Sequence, residues 1–250
     1  MSVVLETRRL CKSFGALTVA ANIDFQLETG ARHALIGPNG AGKTTFVNML
    51  TGALAPSSGR ILLGGEDVTE VAQAARVKRG LGRTFQINTL FRDLSVLDNV
   101  ARAVAERRGV AGRMGRPASA HREVRLESLE LLQTLGLAED AFHRVLDLPY
   151  GKQRLVEIAI ALGLRPTVLL LDEPAAGVPS LESGRILEVL DTLPRDIAIL
   201  IIEHDMDLVF RFARRITVLV QGEVLVEGTP PEIAADRRVH QVYLGEQRHA

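Results

Sequence analysis

The stretch "GPNGAGKTTFVNMLTG" runs from Gly37 to Gly52 and decides how the rest of the chain is read. Gly37, Gly42, Lys43 and Thr44 stand at the spacing G-x-x-x-x-G-K-[ST]. Glycines there let the backbone curl until successive N–H groups converge on an anion, with a helix dipole behind them. Asn39, Gly40, Ala41, Gly42, Lys43, Thr44 and Thr45 are therefore the expected phosphate-binding set. Lys43 is placed to bridge β- and γ-phosphates, and the Thr44 hydroxyl to complete a Mg²⁺ shell. The run "HALI" before the loop supplies the strand, and the apolar period after it supplies the helix.

Outward from the loop, strand and helix signals alternate. "TVLLLDEP" (167–174) is a continuous apolar run ending in acids, as a buried parallel strand should be. A helix over about 180–193 follows, then a second buried strand, "AILIIEH", and a helix, "DMDLVFRFARR". "ITVLVQGEVLVEG" reads as a hairpin turning at Gln221-Gly222. Residues 3–35 and 60–63 read as short strands, with turns at Phe14-Gly15 and Thr29-Gly30. From about Phe91 to Leu164 the chain changes to Arg, Glu, Ala and Leu at helical spacing, broken near "GVAGRMGRPAS". The whole implies an α/β core with a mostly parallel sheet.

Bulk properties narrow the function. The 250 residues carry 30 basic and 30 acidic side chains, so no whole-chain field favours nucleic acid. There is no Trp and there are two Tyr, which argues against a single-strand stacking platform. The one cysteine, Cys11, forms no internal disulfide, and a reducing cytoplasm fits. No export signal is read at the N-terminus. The longest plain apolar run, "IAILII", is too short to span a bilayer, so a membrane role would be peripheral.

Asp172 and Glu173 end a predicted strand, where the edge of such a sheet meets the phosphate loop. Asp172 is expected to hold Mg²⁺ directly or through water, and Glu173 to act as general base toward the attacking water. Both would be merely solvated acids if the phosphate loop were absent. His204 ends the next strand and is placed to sense a γ-phosphate, although a His flanked by acids is often just a surface residue. Gln86, in "GRTFQ", could touch both Mg²⁺ and water. A second anion end opens at "LPYGKQR" (148–154), where a Pro-Tyr-Gly-Lys turn leads into an amphipathic helix.

Taken together, "GPNGAGKTT", Gln86, "LPYGKQR", "VLLLDEP" and His204 resemble the ATP-binding-cassette ATPases in order and interval. The resemblance implies a P-loop NTPase core, an antiparallel β subdomain and an inserted helical subdomain. It implies one cassette over 1–250: a nucleotide-binding core with its β subdomain at 1–86 and 165–229, a helical subdomain with the signature at 87–164, and a helical tail at 230–250. In such ATPases the signature turn presses on the γ-phosphate of ATP held by the opposite subunit. Pro149, Tyr150, Gly151 and Lys152 would so serve a partner's nucleotide, and Phe14 would stack on adenine, where Tyr is commoner. Two departures stand out. Leu-Pro-Tyr-Gly-Lys replaces the usual Leu-Ser-Gly-Gly-Gln, leaving the Gly151 N–H and Lys152 for the phosphate. Pro179 stands where an aspartate is expected in the loop after Glu173.

The Tyr-Gly signature, "DEPAAG", "IIEHDMDLV" and "VEGTPPEIAADRRVHQVYLGEQ" resemble the ATPases of branched-chain amino-acid importers. Urea and amide importers share much of this pattern, and lipopolysaccharide or lipid exporters share "EHDM"-like segments. The resemblance implies ATP and Mg²⁺, transmembrane permease subunits, a second cassette (identical or a paralogue) and, indirectly, a substrate-binding protein. The location implied is the cytoplasmic face of the inner or plasma membrane. A soluble cassette of DNA maintenance or translation would need a coiled-coil insert or a tandem cassette, and a small-molecule kinase would have no use for the signature helix. "INTLFRDLSVLDN" (87–99), with Leu90, Phe91 and Leu94, is the candidate docking surface for a permease, or else simply packs the helical subdomain. Arginines 102, 107, 108, 113, 116, 122 and 125 read either as a solvated loop or as a surface toward a permease or anionic headgroups.

Overall fold

Alternation writes the first sheet. Along β2 (Leu17–Glu28), Ile23, Phe25 and Leu27 are buried while Asp24, Gln26 and Glu28 face water. This strand pairs antiparallel with β1 (Val3–Phe14), which pairs in turn with β4 (Ser58–Leu63), and β5 (Glu66–Asp67) closes an antiparallel sheet in the order β2-β1-β4-β5. The computed structural model describes residues 2–84, 90–111 and 121–246; Gln86, Arg113 and Arg116 lie outside them.

The second sheet rests on continuous apolar runs. Every residue of β3 (Arg32–Ile36), β7 (Val168–Asp172) and β8 (Ala198–Ile202) is buried, as strands covered on both faces must be. They run parallel with β9 (Arg215–Val220), and β10 (Glu223–Gly228) returns antiparallel through Gln221-Gly222. With β6 (Leu81–Arg83) the order is β10-β9-β3-β8-β7-β6. Both turn residues have positive φ, 49° and 83°, as a two-residue hairpin of the right twist demands. Phe25, Phe46 of helix α1 (Lys43–Thr51), Leu170 and Leu200 belong to the core of this unit.

Helix α2 (Gln73–Lys78) contributes a buried cation. The Arg76 guanidinium donates to the carbonyls of Met49 and Leu50 at the end of α1, each at 2.7 Å, and to those of Val71 and Thr69. Orphan carbonyls at a helix C-terminus are thereby satisfied from inside the protein. Helices α7 (Met206–Phe212), α8 (Pro230–Ala235) and α9 (Arg237–Glu246) complete the unit formed by residues 1–81, 167–173 and 194–250.

A second unit, 82–166 with 174–193, is helical. Helices α3 (Val96–Arg107), α4 (Arg122–Thr134) and α5 (Tyr150–Gly163) pack together, and α6 (Ser180–Thr192) lies against α5. Glu127 on α4 is gripped by Arg107, Arg108 and Arg165. Burial pushes its carboxyl up, but Arg108, Arg107 and Arg165 outweigh that and hold it below the usual range. Two arginines of the basic run therefore turn inward as a clasp between helices.

Candidate active site

The parallel registers place the chemistry. Leu35 pairs with Ile202, and Ile202 pairs with Asp172, so three strands end on one row of the sheet. The phosphate loop leaves β3 one residue past that row, Glu173 leaves β7, and Glu203 and His204 leave β8. A row of strand C-termini beside a glycine loop is where open α/β sheets bind ligands.

Within the loop, Gly37, Gly40 and Gly42 take φ of 154°, 78° and 98°. A Cβ at Gly37 would lie 2.1 Å from the Leu219 carbonyl oxygen, and one at Gly42 2.6 Å from that of Val19, whereas at Gly40 it would meet open space. The loop is thus wedged from behind and open in front, with Asn39, Gly40 and Thr44 exposed and Ala41 and Gly42 buried. The hairpin turn braces it: the Gly222 N–H donates to the Ala41 carbonyl at 2.9 Å. Sequence reading missed this role of Gly222, because nothing local to the turn signals what it touches. Lys43 curls over the loop, its Nζ donating to the carbonyls of Gly37 (2.6 Å) and Pro38 (2.9 Å). Helix α1 opens with no side-chain cap and no acid in its first turn, unlike α3, α7 and α8, which carry Ser95, Asp205 and Thr229 with acids in the first turn. Cradle, cation and uncapped helix end fit a polyphosphate.

At the strand ends, Asp172 is buried and Glu173 is half-buried. Glu173 has φ 45°, left-handed backbone that a non-glycine residue adopts at a cost of about 1–3 kcal/mol, and its N–H is tied to the Ile202 carbonyl at 2.9 Å. Its Oε1 lies 3.6 Å from Nδ1 of His204, which is largely exposed. A carboxylate aimed by strained backbone at an imidazole can accept a proton from water and be oriented while doing so. For Mg²⁺, the Thr44 hydroxyl and Asp172 carboxylate supply the hard oxygen donors that this cation takes. Gln86 lies outside the described residues. Phe14 ends β1, half exposed, in this same unit.

The residues expected to form the signature belong to the helical unit. Pro149 is the N-cap of α5, which has no side-chain cap and no acid in its first turn, and Gly151 is buried in that turn. Tyr150 lies against Gly177 in the loop after Glu173, 3.3 Å from where a Cβ would stand, and Arg154 sits 5.2 Å from its ring. Lys152 is held by both oxygens of Asp140, at 2.9 and 2.7 Å, a partner twelve residues away that no local pattern announces. Phe91 of the candidate docking surface is exposed, with Arg102 stacked 4.2 Å from its centroid. Buried Asn99 clamps the Phe91 backbone by accepting from its N–H and donating to its carbonyl. Leu90 and Leu94 are half-buried. Phe91, Arg102, Asn99 and Glu157 are among the residues lining a groove of about 330 Å³.

A phosphate loop on a parallel sheet, with an acid and a histidine at neighbouring strand ends, defines a P-loop nucleotide hydrolase. More narrowly, the chain belongs to the ABC transporter family, whose pattern matches residues 20–176. A pattern described as the branched-chain amino acid ATP-binding cassette transporter matches residues 223–249. The chain is 36% identical to the high-affinity branched-chain amino acid transport ATP-binding protein BraF of Pseudomonas aeruginosa, over 97% of this chain and 98% of that protein. It is 37% identical to LivG of Escherichia coli K12, a protein of the same description, with the same coverage. It is also 36% identical, over 99% of both, to the lipopolysaccharide export system ATP-binding protein LptB of Acidithiobacillus ferridurans. Among solved structures, the ADP conformation of MJ1267, an ATP-binding cassette of an ABC transporter, superposes with a TM-score of 0.85 at 28% identity, covering 98% of this chain and 100% of that one. The fold is therefore that of a nucleotide-binding ABC ATPase, homologous to branched-chain amino acid transport ATP-binding proteins. Among the described residues no helix is long and apolar enough to cross a membrane.

Proposed function

We propose that the chain hydrolyses ATP to drive an importer of branched-chain amino acids, docked at the cytoplasmic face of the inner or plasma membrane. The observation that carries the cargo class is the match over residues 223–249, in the segment where the family's core pattern has already ended. The resemblance to a lipopolysaccharide-export ATPase supports a second reading, an exporter subunit, ranked below the first because the C-terminal match is described by branched-chain amino acids.

On this reading Phe14 carries the base, and Asn39 to Thr45 with the α1 N-terminus hold the phosphates. Lys43 exchanges two carbonyl oxygens for phosphate oxygens. Thr44, Asp172 and Gln86 would hold Mg²⁺, which neutralises charge on the phosphates when bound. Glu173 takes the proton of the attacking water, with His204 beside it to register the γ-phosphate. Pro149, Tyr150, Gly151 and Lys152 face the nucleotide of a second cassette, and the groove at Phe91 receives a permease. A substrate-binding protein delivers the amino acid to that permease. The test is affinity purification of the tagged chain from detergent-solubilised native membranes. Recovery of a multi-span permease with a second cassette, and leucine uptake by vesicles holding that complex, is the expected result. Recovery of soluble partners alone would overturn the transport reading.

A further inference from the structure

Phe14 poses a mechanical problem. It ends a strand at a hairpin tip, opposite exposed Leu17, with Gly15 at φ 59° beyond it, and half of its surface faces water. A ring so placed has little packing to hold it in one orientation. Lys12, two residues earlier, places its Nζ over the Phe14 ring, 5.0 Å from its centroid. That ammonium is anchored in turn, donating to the Ala55 carbonyl at 2.8 Å. The same segment is strapped twice more: the Ser57 N–H donates to the Cys11 carbonyl at 2.8 Å, and the Ser13 N–H to the Ser57 hydroxyl at 3.1 Å. Residues 55–57 follow α1 after three intervening residues, and the other end of α1 is the phosphate loop.

We infer that Lys12 is a positioning residue for nucleotide binding: its ammonium covers one face of Phe14 and ties the ring to the α1 segment, leaving the other face for the base. This rests on the reading of Phe14 as the base platform. Lys12 acts through Phe14, with no contact to the phosphates, and that separates it from an ordinary basic residue near a polyanion. A cation over an exposed aromatic ring is worth about 0.5–1 kcal/mol, so its loss should weaken ATP binding about two- to fivefold.

The experiment is a double-mutant cycle on the full chain, reading affinities for ATP and for inorganic tripolyphosphate, with steady-state kinetics. Lys12→Met should raise the Kd and KM for ATP two- to fivefold, hold kcat within about twofold, and leave tripolyphosphate affinity unchanged; Lys12→Arg, which keeps a cation over the ring, should restore ATP affinity. In a Phe14→Ala background, Lys12→Met should change nothing further. Equal losses for ATP and tripolyphosphate, or additive losses in the double variant, would overturn the inference by making Lys12 a direct charge or a general staple. If Phe14→Ala itself leaves ATP affinity untouched, the platform reading fails and the role of Lys12 falls with it, an outcome distinct from a null effect of Lys12→Met alone.

Discussion

Glu173, the proposed general base, combines a strand-end position with left-handed backbone and a histidine 3.6 Å away. Replacing Glu173 with Gln keeps size and most hydrogen bonding but removes the carboxylate proposed as the base. Nucleotide affinity should stay within a few fold while steady-state phosphate release falls by about 10²–10⁴. Undiminished turnover would remove Glu173 from the role. Another histidine behaves oppositely. His33 is buried on β3, edge-on to Phe25 at 5.1 Å, with Nε2 2.8 Å from the Thr217 hydroxyl. Thr217 spends its one hydrogen on Glu227, so Nε2 must donate. Burial above all, with Arg215 adding to it and Glu227 opposing, lowers the His33 pKa from 6.5 to about 4. The unfolded chain then binds a proton that the folded one refuses. Stability is complete above about pH 6.5 and drains away as pH falls toward 4, by on the order of 3 kcal/mol. Urea titrations at pH 7 and pH 4.5 should show a markedly smaller drop for His33→Gln. The place of Glu173 and His204 was legible as strand-end chemistry. The φ of Glu173 and the neutrality of His33 were not, since both arise from partners far along the chain.

At the scale of elements, the phosphate loop was legible because its glycines follow a fixed local rule. Its bracing was not. Gly42 backs onto Val19 and Gly40 faces open space, although both have positive φ. Gly42→Ala should therefore abolish nucleotide binding or folding, while Gly40→Ala should cost only the backbone strain of about 1–2 kcal/mol; thermal melts and ATP binding of the pair check the ordering. The α2 sequence "QAARVK" likewise looks like an ordinary surface helix, yet Arg76 is 1% exposed and serves four carbonyls. Arg76→Met fills much of the volume but strips the guanidinium donors from those carbonyls, of which that of Met49 keeps the Gly52 N–H as a partner. A loss of about 3–5 kcal/mol in urea unfolding is expected, large for a position with no catalytic part. Composition could not reveal this, because an inward arginine and a solvated one are spelled the same way. The basic run of the helical unit teaches the same lesson, with Arg107 and Arg108 spent on Glu127 and Arg102 on Phe91.

At the scale of the molecule, the α/β alternation and the helical insertion were legible from periodicity, while the contact between the Tyr150 turn and the loop after Glu173 was not. Tyr150, in place of a small signature residue, rests on Gly177, two residues before Pro179. If two cassettes share their nucleotides, Glu173→Gln with ATP should double the mass seen by light scattering, alone or mixed with the partner cassette. An unchanged mass in both settings would contradict shared sites. The Tyr150 contact has one more consequence, for spectroscopy. The chain has no Trp and two Tyr, so its near-ultraviolet emission comes from Tyr150 and Tyr243 alone. Tyr243→Phe would leave a single native fluorophore, lying on the loop that follows Glu173. Shifts of the signature turn during turnover could then be followed in real time, without attaching a dye.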